Sequence, residues 1–316
     1  MTAFRFIWQR VLSTIPMLVL VGLITFLMIH LTPGDPAAVA AGDNASLEAI
    51  EAARVRLGLN APLPVQFWHW LVAVLHGDLG TSFTSGRPVT HLILERLPIT
   101  LSLTFGATLI GLVIAIPLGI FAAVQRDSWL DRLTIVVTSL GIAAPEFFIG
   151  LLLVLVFAIH LGWLPATGYV PFRDDPAEWA TRLLLPSLAL GLGVAAELTR
   201  QVRGAMRDVL SRDYIQTARA KGLSSLSVIF KHGLKNAAIP VVTVLGLQVR
   251  RLLGGTVIVE QIFNINGVGS LAVRAVFLRD IPVLLGVALI TAVVVLIINF
   301  VVDMSYGYFD PKVRAT

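Results

Sequence analysis

The chain has 316 residues, of which 56% are hydrophobic and only 14% charged, and its formal net charge is +5. A soluble domain carries about a quarter charged residues, so this composition belongs to the integral-membrane class. The basic residues are scattered between apolar spans, which excludes a nucleic-acid-binding basic domain, and the absence of cysteine excludes disulfides, thiolate chemistry and cysteine-ligated metals.

A spanning helix needs about 20 mostly apolar residues. The first such stretch is residues 11–31. A cleavable signal is the alternative, with Ala38-Val39-Ala40 as a small-residue site. The apolar run is too long for a signal h-region, so the segment reads as a retained anchor. Residues 32–98 follow as a long hydrophilic interval. A helical pattern covers 46–57, opened by Ser46 as N-cap and stopped by Gly58. A second apolar stretch, 65–75, carries Trp68 and Trp70, residues suited to a membrane interface. This region reads as a small helical extracytoplasmic cap rather than a separate domain.

Five more spans follow, at about 99–124, 133–161, 183–198 with the residues after it, 237–259 and 283–302. Pro117, Pro145 and Pro240 fall in or at spans, where neighbouring helices re-satisfy freed backbone groups. The fold expected is an all-α integral membrane protein with six transmembrane helices and a single permease-like domain over 1–316. With the N-terminus inside, the inner segments hold Arg5, Arg10, Arg126, Arg132, the run from Arg200 to Lys235, Lys312 and Arg314. The outer segments are longer yet hold fewer basic residues, so the positive-inside rule places both termini in the cytoplasm. No internal repeat is evident, which weighs against an inverted-repeat secondary transporter.

Catalytic signatures are lacking. There is no G-x-x-x-x-G-K-[ST] phosphate loop and no H-E-x-x-H. The six histidines do not cluster at metal-ligand spacing. The chain does not read as an enzyme, and no cofactor is expected on it.

The inner segment 204–236 carries the most informative stretch, DYIQTARAKGLSSLSVIFKHGLKNAAIP (213–240). Apolar or small positions recur at spacings of three and four, an amphipathic helical pattern. Gly222 interrupts it as a helix stop, and Ser224 or Ser225 is placed to cap the next helix. Physical chemistry leaves three readings open: a basic helix on anionic lipid, a solvated loop fixing topology, or a helix inserted in a groove of a cytoplasmic partner. Ala218, Ala220 and Gly222 permit close backbone approach.

This stretch resembles the EAA loop of ATP-binding-cassette (ABC) importer permeases, in the dipeptide/oligopeptide/nickel family. The residues matching its core are Ala218, Arg219, Ala220, Lys221 and Gly222, with Asp213 and Tyr214 before them and Pro240 after. The literal glutamate–alanine–alanine opening is absent. The resemblance covers nearly the whole chain: LTPGDPA (31–37), GDLGTSF (77–83), RPV (87–89), PEFFIGLLLVLVFAIHLGWLPATGY (145–169), RDIPVL (279–284) and DPKVR (310–314) also match. In FNINGVG (263–269) Asn266 stands where the family usually has proline. The resemblance implies a type I importer permease, and a loop acting as the coupling helix that docks into an ATPase. It also implies a second permease, two ATPases that hold ATP and magnesium, and an extracytoplasmic substrate-binding protein.

Arg250 and Arg251 lie within the fifth span, where the family usually has small, apolar or aromatic residues. Intramembrane charge is costly and functional by default. Adjacent helical residues point about 100° apart, so at most one faces a pore squarely. Either they pair with an acid such as Glu197 or Asp303, or one attracts an anionic group of the substrate. Gln248 and Asn299 are further candidates for the path, and Glu146 reads as a residue capping backbone groups freed by Pro145. The expected function is the permease subunit of an inner-membrane importer for short peptides or related solutes such as glutathione or nickel chelates. The alternative is an ion- or proton-coupled secondary transporter.

Overall fold

The computed structural model describes residues 3–31, 35–42 and 45–309. Residues 32–34 of LTPGDPA and the whole of DPKVR, with Lys312 and Arg314, lie outside the described residues, as do the side chains of Arg5 and Arg10. Helix is the only extended regular structure among the described residues; the loops between helices hold an isolated bridge between Thr81 and Pro88.

The helices run in order α1 (Ala3–Leu31), α2 (Pro36–Ala41), α3 (Leu47–Arg56), α4 (Leu63–Leu75), α5 (Val89–Val124) and α6 (Trp129–Ala143). They continue with α7 (Glu146–Leu153), α8 (Pro176–Leu210), α9 (Asp213–Ala220), α10 (Lys235–Ile262), α11 (Val268–Phe277) and α12 (Ile281–Phe309). A π-helical stretch, Val154–His160, prolongs α7, and another, Ser227–Leu234, leads into α10.

Four runs are long and apolar enough to cross a membrane: Val89–Val124, Pro176–Leu210, Ser227–Ile262 and Ile281–Ser305. The expected first span falls on α1, whose described apolar part is Ile15–Met28. The expected third span is not one straight rod. It is a bent pair, Trp129–Ala143 and Glu146–His160, turned by 99°. Pro145 causes the break. It has no N–H to donate, and it drives the preceding residue from the helical region; Ala144 sits at φ −73°, ψ 126°. The expected fifth span also begins earlier than its apolar pattern. The helical run starts in the polar loop at Ser225 and passes through the π-helical stretch into α10 without a break.

The chain forms two compact units. One comprises residues 8–98 and 267–296. Its polar interval folds as local signals dictate. Ser46 Oγ accepts from the Ala49 amide at 3.2 Å, and Gly58 follows α3 with φ +66°. Asp35 caps α2 through the Ala37 amide at 3.0 Å and ties it to α3 through Arg54 at 2.5 Å. Phe26 of α1 meets Phe67 and Trp70 of α4 at centroid distances of 5.4 and 6.0 Å. The first turns of α5 pack through Val89 and Ile93 against Leu271 of α11 and Val283 of α12.

The other unit is built on residues 99–266 with segments from the chain ends. Its core joins α5, α8 and α10 through Leu103, Leu190, Leu198, Leu252 and Phe263. Close approach of α5 and α8 depends on glycine. A Cβ at Gly111 would stand 2.6 Å from Val194 Cγ1, and one at Gly119 2.7 Å from Val202 Cβ. Small residues at such crossings let helix backbones approach within a bilayer, where apolar burial gives little drive. The outward side of α5 exposes Phe105, Val113 and Phe121, each more than 60% accessible. An apolar face of that extent marks a lipid or subunit contact, not a water-facing surface.

Candidate functional site

Two regions of the 99–266 unit carry the residues of interest. The first is the segment from Asp213 to Gly222. Arg212 enters α9 in extended conformation, and Thr217 Oγ1 donates to the Asp213 carbonyl at 3.0 Å. The helix ends in a reciprocal pair of bonds: Gly222 N–H to Arg219 O at 2.9 Å, and Leu223 N–H to Ala218 O at 3.3 Å. This is a Schellman closure, which needs a left-handed residue at its turn, and Gly222 supplies it at φ +78°. The next helical run opens at Ser225, with Ser224 Oγ accepting from the Ser227 amide at 3.4 Å.

Ile215 is fully buried and anchors α9. Asp213, Tyr214, Arg219, Ala220, Lys221 and Gly222 are exposed, and Ala218 is half-buried. Around Gly222 nothing lies within 4 Å of a notional Cβ. Tyr214, Leu226 and Phe230 add exposed apolar surface at 46%, 69% and 53%. The segment therefore presents a short rigid helix, with basic and apolar groups side by side and a clear space at its end.

The second region centres on α10. Arg250 is half-buried and turns back on its own helix, its Nε donating to Gly246 O at 3.3 Å. Arg251 points elsewhere and is 70% exposed, with Nη2 at 3.8 Å from Glu146 Oε1. The divergence of the two arginines is what adjacency on a helix demands. Glu197, one of the two acids expected as a partner, is instead held by Arg200 of its own helix at 2.7 Å. Gln248 and Asn299 are half-buried on α10 and α12, and no hydrogen bond among the described residues joins them to either arginine.

Glu146 is the residue the sequence undervalued. It opens α7 immediately after the Pro145 break. Gly255 on α10 makes room for its carboxylate, and Gly193 on α8 lies beside it. A Cβ at Gly255 would stand 3.0 Å from Oε2, and one at Gly193 3.9 Å from Oε1. The available signal was an acid beside a helix-breaking proline in an otherwise apolar span. Deeper in the same unit, Thr100 Oγ1 donates to the fully buried Glu260 at 2.8 Å.

A third arrangement holds the polar ends together. Asp131, in the first turn of α6, is 2% exposed. Both Nε and Nη2 of Arg203 on α8 donate to it, the latter at 2.9 Å, and Arg207 Nη1 lies 3.6 Å away. In the unit of residues 8–98 and 267–296, Asp280 plays a similar part. Its carboxylate accepts from Ser82 Oγ at 2.5 Å, Thr84 Oγ1 at 2.7 Å and the Phe83 amide at 3.1 Å. GDLGTSF and RDIPVL thus meet at one buried carboxylate. Among the described residues no group of three His, Asp or Glu is placed to hold a metal ion.

The sequence matches two linked families. Residues 115–315 match the binding-protein-dependent transport system inner membrane component, and residues 3–104 match the N-terminal part of such membrane components. A peptide transport system permease protein of Brucella abortus (strain 2308) is 44% identical over 308 residues, 98% of each chain. The glutathione transport system permease protein GsiC of Salmonella typhimurium (strain LT2) is 44% identical over 310 residues, 98% of this chain and 99% of its own. Among solved structures, an inward-facing form of the MetNI methionine ABC transporter superposes with a TM-score of 0.57. It is 18% identical and covers 69% of this chain and 96% of that one, a likeness of fold.

Proposed function

The chain belongs to the binding-protein-dependent transport system inner membrane components, and on that premise we propose that it forms, with a second permease, a path for short peptides or related solutes such as glutathione. It is a permease subunit of an ABC importer, a multi-pass inner-membrane protein that works with ATPase subunits. The full-length likeness to permeases named for peptide and glutathione transport is the observation that carries the substrate class.

In this reading the chain crosses the membrane six times, with both termini in the cytoplasm and residues 32–98 as an outer helical cap. Residues 1–316 act as one permease domain. A substrate-binding protein docks on the outer side. Two ATPases, which hold ATP and magnesium, dock on the inner side. The α9 segment of this chain, Asp213, Tyr214 and Ala218 to Gly222, seats in one ATPase as the coupling helix. Its exposed helix and rigid Gly222 closure support that role, because a lever must transmit displacement rather than absorb it. Closure of the ATPases biases a two-state equilibrium between inward- and outward-facing packings. No residue of this chain breaks a bond. Arg251, with Glu146, Arg250, Gln248 and Asn299, lies along the path and meets the charged ends of the solute.

The test is uptake of a labelled dipeptide by proteoliposomes holding the assembled importer and its binding protein. Uptake requires ATP and proceeds without a proton gradient. Uptake driven by the gradient alone overturns the proposal and favours a proton-coupled carrier.

A further inference from the structure

We propose that a basic pocket at the polar ends of α5 and α8 binds the phosphate of an anionic phospholipid. The pocket has a volume of about 270 Å³ and is lined by Arg126, Arg207 and Arg219, with the Ser225 hydroxyl beside them. Three arginines around so small a space are matched to a phosphate, which takes several charge-assisted donors at once.

The local charge is not neutralised within the chain. Asp127 lies 3.4 Å from both Arg126 and Arg207. Asp131 is occupied by Arg203 and also approaches Arg207 at 3.6 Å. Two aspartates thus serve three arginines, and the fourth, Arg219, has no carboxylate within ion-pair distance among the described residues. The helical run through Ile262 begins at Ser225, a lining residue. Its first-turn amides have no intrahelical acceptors and form the positive end of that helix.

The remaining wall decides between a lipid and a free anion. Val124, Leu210 and Ile229 line the pocket, and Phe121 and Val124 of α5 are exposed at 63% and 47%. The apolar run of α5 ends at Val124, followed by Gln125 and Arg126. That transition is the boundary between hydrocarbon and headgroup, where basic pockets between spanning helices take anionic headgroups. A phosphate at the arginines leaves its acyl chains to lie along α5. Because Arg219 belongs to α9, the bound headgroup also steadies that segment. This consequence rests on the coupling role proposed above; the binding itself does not.

The importer is placed in nanodiscs of phosphatidylcholine doped with phosphatidylglycerol, and retained lipids are counted by native mass spectrometry. Wild-type protein retains phosphatidylglycerol selectively. Arg126→Gln, outside α9, and Arg219→Gln each weaken retention about fivefold, as expected for one cation near an anionic headgroup. Unaltered thermal unfolding shows that the variants are folded. Equal retention of the two lipids, unchanged retention by folded variants, or occupation by added inorganic phosphate in place of lipid overturns the proposal. Loss of ATP-driven uptake with lipid retention intact counts against the transport reading alone.

Discussion

Arg251 Nη2 stands 3.8 Å from Glu146 Oε1, joining the middle of α10 to the first residue of α7 just past the Pro145 break. The arginine is 70% exposed and the glutamate 25%, so the pair adds about 1 kcal/mol or less to stability. In the path proposed above, its value lies in what it offers a passing solute. Glu146→Gln and Arg251→Gln are expected to leave the unfolding midpoint nearly unchanged and to lower dipeptide uptake by about tenfold, the equivalent of 1.4 kcal/mol. The exchange Glu146→Arg with Arg251→Glu restores part of it if the pair acts as a unit. Uptake unchanged in both single variants would remove these residues from the path.

Gly222 separates strain from docking. At φ +78° an L-residue is disfavoured by about 1–2 kcal/mol, yet no atom obstructs a side chain there. Gly222→Ala therefore lowers coupling modestly. Gly222→Trp is expected to leave the protein inserted but to uncouple ATP hydrolysis from uptake, because the bulk stands on the face proposed to meet the ATPase. Normal uptake by Gly222→Trp in reconstituted vesicles would falsify a docked coupling helix at this position.

Asp131 and Arg203 form a largely buried ion pair of the 99–266 unit, at 2% and 18% exposure. Asp131→Ala strands a guanidinium among protein atoms and is expected to destabilise by about 3–5 kcal/mol. Adding Arg203→Met recovers much of that loss, since removing both charges of a buried pair is far less costly than removing one. Denaturant titration of the purified protein measures both, and a double variant no better than Asp131→Ala contradicts the assignment.

Asp280 holds the 77–83 loop through Ser82, Phe83 and Thr84. Hydrogen bonds to a charged group contribute about 1.5–3 kcal/mol each. Asp280→Ala should expose this loop to limited proteolysis, and Asp280→Asn should do so less. Equal protection in wild type and Asp280→Ala would show that the loop is held by other contacts.

Gly111 marks one of the tight crossings of α5 and α8. The 2.6 Å separation from Val194 Cγ1 leaves no room for a Cβ. Gly111→Ala is expected to cost about 1–3 kcal/mol by overpacking, and pairing it with Val194→Ala relieves the strain. Thermal unfolding of the two variants tests this.

Much of the architecture was legible because it is local. Apolar runs of spanning length located the helices now seen as α5, α8, α10 and α12. Ser46 and Gly58 bounded α3 through a cap and a left-handed stop, both fixed within one turn of the chain. Gly222 stopped α9 for the same reason. The bend at Pro145 and the early start of the fifth helical run were less legible, because hydropathy records burial in lipid and not helix direction or continuity. The helix α11 was missed altogether: its ten residues are too short to register as a span.

Sequence alone determined that this is a membrane protein of helical spans, that a short helix stops at Gly222, and that two arginines stand within the apolar run of α10, since each depends on residue type at nearby positions. Only the tertiary structure decided which acid Arg251 meets, which aspartate Arg203 buries, and that GDLGTSF and RDIPVL share the Asp280 carboxylate. Those pairs are separated by 105, 72 and about 200 positions. Contacts at such distances follow from helix packing, where the absence of a side chain at Gly111 or Gly119 sets how close two helices come, and no local pattern encodes that.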